Sequence, residues 1–141
     1  MKAILDTCVI VDVLQNREPF CRAAQEIFLL GANQQFEGFI TAKAITDIYY
    51  LTHRQTHSDK LTREILIKLC TLFGLLDTTA LDIQKAIFSE IKDFEDALMI
   101  ETAVSSDLDC IVTRNQKDYV NAPIPIYTPA EFVELMRQTS K

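Results

Sequence analysis

The sequence predicts a three-layer α/β/α domain built around a central parallel sheet. Three observations carry that reading. Short apolar runs alternate with helix-period stretches of roughly 10 to 15 residues, the pattern of βα units whose sheet is covered on both faces. Glycine and proline are scarce, at 3 and 4 residues, which disfavours a turn-dense all-β fold. The length of 141 residues, with 48% hydrophobic and 24% charged side chains, fits one soluble domain, 1–141, with a core large enough to need no metal or disulfide staple.

The elements follow in order along the chain. Lys2 to Leu5 turns apolar almost at once and stops at Asp6, a short buried strand. Val9 to Leu14 supplies one or two helical turns. Between Pro19 and Leu30 the residues Phe20, Ala23, Ala24, Ile27 and Phe28 fall at helical period, with Gly31 placed to end the helix. Phe36 to Ile40 is a second strand, and Thr41 can cap a helix through Ile45, Ile48, Tyr49 and Leu51 towards His53. A polar patch from His53 to Lys60 separates this helix from another at Leu61 to Leu72. Gly74 to Asp77 reads as a third strand, after which Thr78 or Thr79 opens a helix reaching about Ile91. Asp93 begins the next helix, Phe94 to Ser105. Cys110 to Thr113 and Ile124 to Tyr127 are the last strands. Thr128-Pro129-Ala130-Glu131 then combines a threonine cap, a first-turn proline and a glutamate three residues after the cap, which starts a final helix.

The net charge of −6 argues against tight nonspecific binding to duplex DNA or anionic membranes through bulk charge. It is compatible with a nucleic-acid enzyme, because metal-binding carboxylates also make a chain acidic. Cys8, Cys21, Cys70 and Cys110 form no CxxC pair and follow no secretory leader, so they read as reduced, mostly buried thiols of a cytoplasmic protein. The longest apolar stretch, Ile65 to Leu76, is interrupted by Lys68 and is too short to span a bilayer.

In parallel sheets ligands gather at the carboxyl ends of strands, which singles out Asp6 after the first strand. It can be a helix cap or a functional acid; Thr7 beside it can supply the cap or orient a water. Asp47 sits between Ile45 and Ile48 in a largely apolar helix, where a metal or a basic side chain would relieve the cost of burying it. Asp93 can cap its helix, yet Asp93 and Asp96 share a face with Ile100 and Ala103, so two carboxylates point the same way. After the fourth strand, Thr113, Arg114, Asn115, Lys117 and Asp118 combine oxygen ligands with cations suited to a phosphate. Arg54, Lys60 and Arg63 offer a contact for RNA or a solvated face. His53 and His57, four apart, lack the HExxH pattern of a zinc site and read as exposed histidines near a helix end. Tyr49 and Tyr50 suit core packing better than base stacking.

Three stretches in series, Ile4-Leu5-Asp6-Thr7-Cys8-Val9-Ile10, Asp93-Phe94-Glu95-Asp96-Ala97-Leu98 and Ile111-Val112-Thr113-Arg114-Asn115-Gln116-Lys117-Asp118-Tyr119, resemble the PIN domain. That family of small metal-dependent ribonucleases includes the VapC toxins of toxin–antitoxin pairs. The resemblance implies a carboxylate pocket at one edge of the sheet, with Asp6 and Asp96 matching the family's first and third acids. Asp47 stands where the second, usually Glu, belongs. Asn115 occupies the fourth position, often Asp, with Asp118 three residues on. The implied catalytic set is thus Asp6, Asp47, Asp96 and Asn115, and the implied ligands of Mg²⁺ or Mn²⁺ are Asp6, Asp96 and Asp118. Thr7, Asp93, Thr113, Arg114 and Lys117 would meet the RNA substrate, and a second ion would sit near Asp47 or Asn115. A small antitoxin partner and a homodimer are implied as well. The two departures also admit an alternative, a noncatalytic PIN-like module that binds RNA or protein. An α/β phosphatase would need a second Asp where Cys8 stands, and a dinucleotide enzyme a glycine-rich turn that Asp6-Thr7-Cys8 lacks.

Overall fold

A computed structural model describes residues 1–139. Five strands, β1 (Lys2–Leu5), β2 (Glu37–Thr41), β3 (Gly74–Leu76), β4 (Cys110–Val112) and β5 (Ile126–Tyr127), form one sheet in the order β3-β2-β1-β4-β5. Every pairing is parallel, with Ile4 opposite Phe39 on one side and Ile111 on the other. The chain winds outward from β1 through β2 to β3, then crosses back to lay β4 on the free side of β1. The strand order therefore reverses between β1 and β4, where an open parallel sheet has its crevice.

Among the described residues the helices are α1 (Thr7–Leu14), α2 (Cys21–Ala32), α3 (Ala42–Thr56), α4 (Asp59–Leu72), α5 (Ala80–Ile87), α6 (Phe94–Ser105) and α7 (Pro129–Thr139). The two-residue period of the strands sorts the core between them. Ala3, Leu5, Cys110 and Val112 turn to one face and pack with Val9, Ile27, Ile48, Leu69 and Phe132 of α1, α2, α3, α4 and α7. Ile4 and Ile111 turn to the other and pack with Ile100 and Ala103 of α6, Leu108 and Tyr119. The predicted three-layer class is thus the observed one.

Local departures from the expected elements have local causes. Gly31 lies inside α2 instead of ending it, because a Cβ there would come 2.9 Å from Cε1 of Phe73, whose ring also covers Gly38. The polar patch is mostly helical: α3 runs to Thr56, and Ser58 caps α4 by accepting from Leu61 N at 3.1 Å. α5 stops at Ile87 and not near Ile91, since Ile91 turns in to pack against Ala86, Ala97 and Leu98. The closing helix starts as its sequence predicts, with Thr128 N donating to Glu131 Oε1 at 2.9 Å and Glu131 N to Thr128 Oγ1 at 3.2 Å.

Candidate active site

Asp6 follows β1 and Thr113 follows β4, so the reversal of strand order places both at the head of the crevice. Asp6 caps α1, its Oδ1 accepting from Thr7 N at 2.7 Å, while Oδ2 accepts from Thr113 Oγ1 at 2.7 Å. Asn115 N in turn donates to Thr113 Oγ1 at 3.1 Å. These bonds hold the carboxylate in one orientation. Burial pushes the Asp6 carboxyl above its ordinary range, against the pull of the Thr113, Thr7 and Cys8 hydrogen bonds; Glu95 adds repulsion. Asp6 is therefore the helix cap and at the same time part of the wall of the crevice.

Asp96 approaches from the opposite layer. Asp93 caps α6, its Oδ1 accepting from Asp96 N at 3.0 Å, which sets Asp96 in the first turn. Burial raises the Asp96 carboxyl to about 6; the Tyr119 hydroxyl pulls it down, and Asp93, Asp6 and Asp118 push it further up. That hydroxyl is buried and faces Asp96, yet closes no hydrogen bond of ordinary geometry. Asp6 and Asp96 thus line one cleft, while Asp93 and Asp118, close enough to act on Asp96 through their charge, line the depression beside it.

A cleft of about 350 Å³ opens here, lined by Asp6, Thr7, Asp47, Glu95 and Asp96 together with Lys43, Tyr50, Arg54 and Thr78. The cation that Asp47 needed is Lys43, one helical turn before it, whose Nζ lies 2.7 Å from Asp47 Oδ2. The same Nζ lies 2.9 Å from Glu95 Oε1. The sequence offered no strong sign of Glu95 or Lys43, because their meeting depends on α3 and α6 facing each other. Tyr50, expected in the core, is instead 65% exposed on the cleft wall. Arg54 shares that wall, whereas Arg63 is paired with Asp59 at 2.9 Å on the exposed side of α4.

Other sequence candidates are placed differently. Arg114 is committed to Asp12, Nε to Oδ2 at 2.7 Å and Nη2 to Oδ1 at 3.2 Å, and its guanidinium lies 4.1 Å from the centre of the Phe20 ring. Asp12 is fully buried and also faces Arg17 Nη1 at 3.8 Å; its only signal in the sequence is an acid inside the apolar run Val9 to Leu14. Asn115, Lys117 and Asp118 are exposed, with Lys117, Asp118 and Asp93 around a neighbouring depression. His53 and His57 do not share a helix face, since α3 ends at Thr56 and His57 adopts a left-handed cap at φ 53°.

The donors in the cleft are hard oxygens, the kind a divalent cation such as Mg²⁺ takes. Among the described residues no three His, Cys, Asp or Glu side chains form a ready-made cage. Mg²⁺ needs none, because it keeps several waters and binds through one or two carboxylates. Asp6 and Asp96 supply hard oxygen donors that repel one another, and the buried Thr78 hydroxyl on the same cleft has no protein partner and can bond a water of such an ion. The residues fit a hydrated Mg²⁺ or Mn²⁺.

Comparison with known proteins identifies the family of the fold. A PIN domain family model matches residues 2–117. No match was found among curated proteins. Similar solved structures include VapBC2 from Rickettsia felis bound to a DNA fragment from its promoter, with TM-score 0.67 and 15% identity over 91% of this chain and 98% of that one. A toxin–antitoxin complex from Klebsiella pneumoniae gives TM-score 0.65 and 24% identity over 90% and 97%. VapC20 from Mycobacterium tuberculosis, a toxin that cleaves the sarcin–ricin loop, gives TM-score 0.61 and 14% identity over 77% and 86%. At these identities the structures establish the shared fold. Among the described residues no helix is long and apolar enough to cross a membrane.

Proposed function

The chain belongs to the PIN domain family, and on that premise we propose that it is a metal-dependent endoribonuclease. The observation that carries this reading is the convergence of Asp6 and Asp96, from opposite sides of the sheet, on one polar cleft at the strand-order reversal. When bound, Mg²⁺ or Mn²⁺ would polarise the scissile phosphate and make a bound water more acidic. Asp6 and Asp96 would hold it, with Asp118 near enough to Asp96 to share its field.

The chain's own groups supply the remainder. Thr113 and the Thr7 amide fix Asp6, so no rotamer has to be frozen as substrate arrives. Asp96, whose carboxyl is raised to about 6, would give up its proton on binding the ion, so the carboxylate serves as ligand and not as proton carrier. The exposed Tyr50 ring offers a face for a base, and Arg54 and Lys117 offer charges for the RNA backbone. Arg114, bound to Asp12, braces the loop that presents Thr113 and Asn115. Cleavage of RNA with added Mn²⁺ tests the reading. Wild type should cut, and Asp6→Asn and Asp96→Asn should lose at least a hundredfold while keeping the fold; equal cleavage by all three would refute it.

A noncatalytic module is favoured by one specific observation, the engagement of Asp47 by Lys43 in place of a free second acid. The same assay separates the two. The similar structure solved as a toxin–antitoxin complex supports the reading of this chain as a toxin restrained by a small antitoxin; we propose further that it acts in the cytoplasm and as a homodimer. Growth arrest on expression, relieved by the neighbouring reading frame, is the expected outcome, and harmless accumulation of folded protein would count against it.

A further inference from the structure

We propose that the Lys43 ammonium is a built-in cation of the cleft, standing where a second divalent ion would otherwise bind, so that this site takes one metal ion. The proposal rests on the metal-nuclease reading above and narrows it. Lys43 Nζ sits 2.7 Å from Asp47 Oδ2 and 2.9 Å from Glu95 Oε1. These two carboxylates belong to different elements, α3 and the first turn of α6, which face each other across the cleft. A surface pair at i,i+4 would account for Asp47 alone and would be worth little. The contact to Glu95, 52 residues away in sequence, shows the ammonium joining the two walls instead of lying along its own helix.

Charge balance points the same way. Four carboxylates line the cleft, Asp6, Asp47, Glu95 and Asp96, against the two cations Lys43 and Arg54. The uncompensated remainder equals the charge of one divalent ion. Asp47, a methylene shorter than Glu, stays against α3 with one oxygen on the ammonium. Burial works against the Lys43 charge, but hydrogen bonds to Asp47 and Glu95 outweigh it and keep the amine protonated.

Mn²⁺ titration of the full chain, followed by calorimetry and by the electron paramagnetic resonance signal of free Mn²⁺, reads the number of bound ions without relying on activity. Wild type should bind one Mn²⁺ per chain. Lys43→Met should bind two, with Asp47 and Glu95 released to ligate, whereas Lys43→Arg, which restores the charge, should return to one. Two ions in wild type, or one in Lys43→Met with native circular dichroism, would overturn the proposal while leaving the metal site standing. Loss in both variants alike would also overturn it, as a packing role for Lys43. No binding by wild type would remove the metal-nuclease reading itself, and the proposal with it.

Discussion

Replacing Asp96 by Asn should make the metal-free protein more stable at neutral pH. The folded-state carboxyl is raised to about 6 from an ordinary 3.8, chiefly by burial and then by the charges of Asp93, Asp6 and Asp118. A shift of that size corresponds to about 3 kcal/mol, and solvent screening at a group only partly buried reduces the expected effect to about 1 kcal/mol. The first turn of α6 favours a negative charge and offsets part of this gain. The sign follows from proton binding. Between pH 3.8 and about 6 the unfolded chain has lost the proton that the folded chain keeps, so wild-type stability falls as pH rises through this window. The advantage of Asn should thus be absent below pH ~4, grow through the window and be complete above pH ~6, the limits being the unfolded and folded pKa values. For a domain of this size it amounts to about 3 °C in Tm. Saturating Mn²⁺ should reverse the order, since about 100 Kd of ligand stabilises the binding-competent wild type by about 2.7 kcal/mol. Thermal melts at acid and neutral pH, with chelator and with Mn²⁺, supply the four values. An Asn variant less stable than wild type in chelator at neutral pH would refute the reasoning, because it would mean Asp96 gains more from its surroundings than it loses.

Further outcomes follow from the same geometry. Thr113→Val removes the 2.7 Å bond to Asp6 and the acceptor for Asn115 N, and should cost about 2 kcal/mol in urea melts at neutral pH. Asp12→Ala leaves Arg114 without its partner in a partly buried setting and should cost about 3 kcal/mol, much of it recovered in a double variant with Arg114→Met. Because protons compete at Asp96, whose pKa is raised to about 6, Mn²⁺ affinity should drop about tenfold between pH 7 and pH 5, read by calorimetry.

The parts of the site visible in the sequence are those whose signals are local. Asp6 stands at the end of an apolar run, Asp93 and Asp96 carry the spacing of a cap and first turn, and Thr128 to Glu131 carries a capping box. Each depends on neighbours a few residues away. Features made by packing between distant segments were hidden. Lys43 and Glu95 meet only because α3 and α6 face one cleft, and Asp12 finds Arg114 only because β4 lies beside β1. Gly31 looked like a helix stop because its clearance from Phe73 is a tertiary matter. The parallel class was legible from alternating elements, whereas the return of β4 to the free side of β1, which creates the crevice, was not.

The most direct test of the central claim is a crystal grown with Mn²⁺ and read by anomalous scattering. The account predicts a peak in the cleft, ligated by Asp6 and Asp96. A peak on other residues alone, or an empty cleft at a Mn²⁺ concentration that supports RNA cleavage, would contradict it.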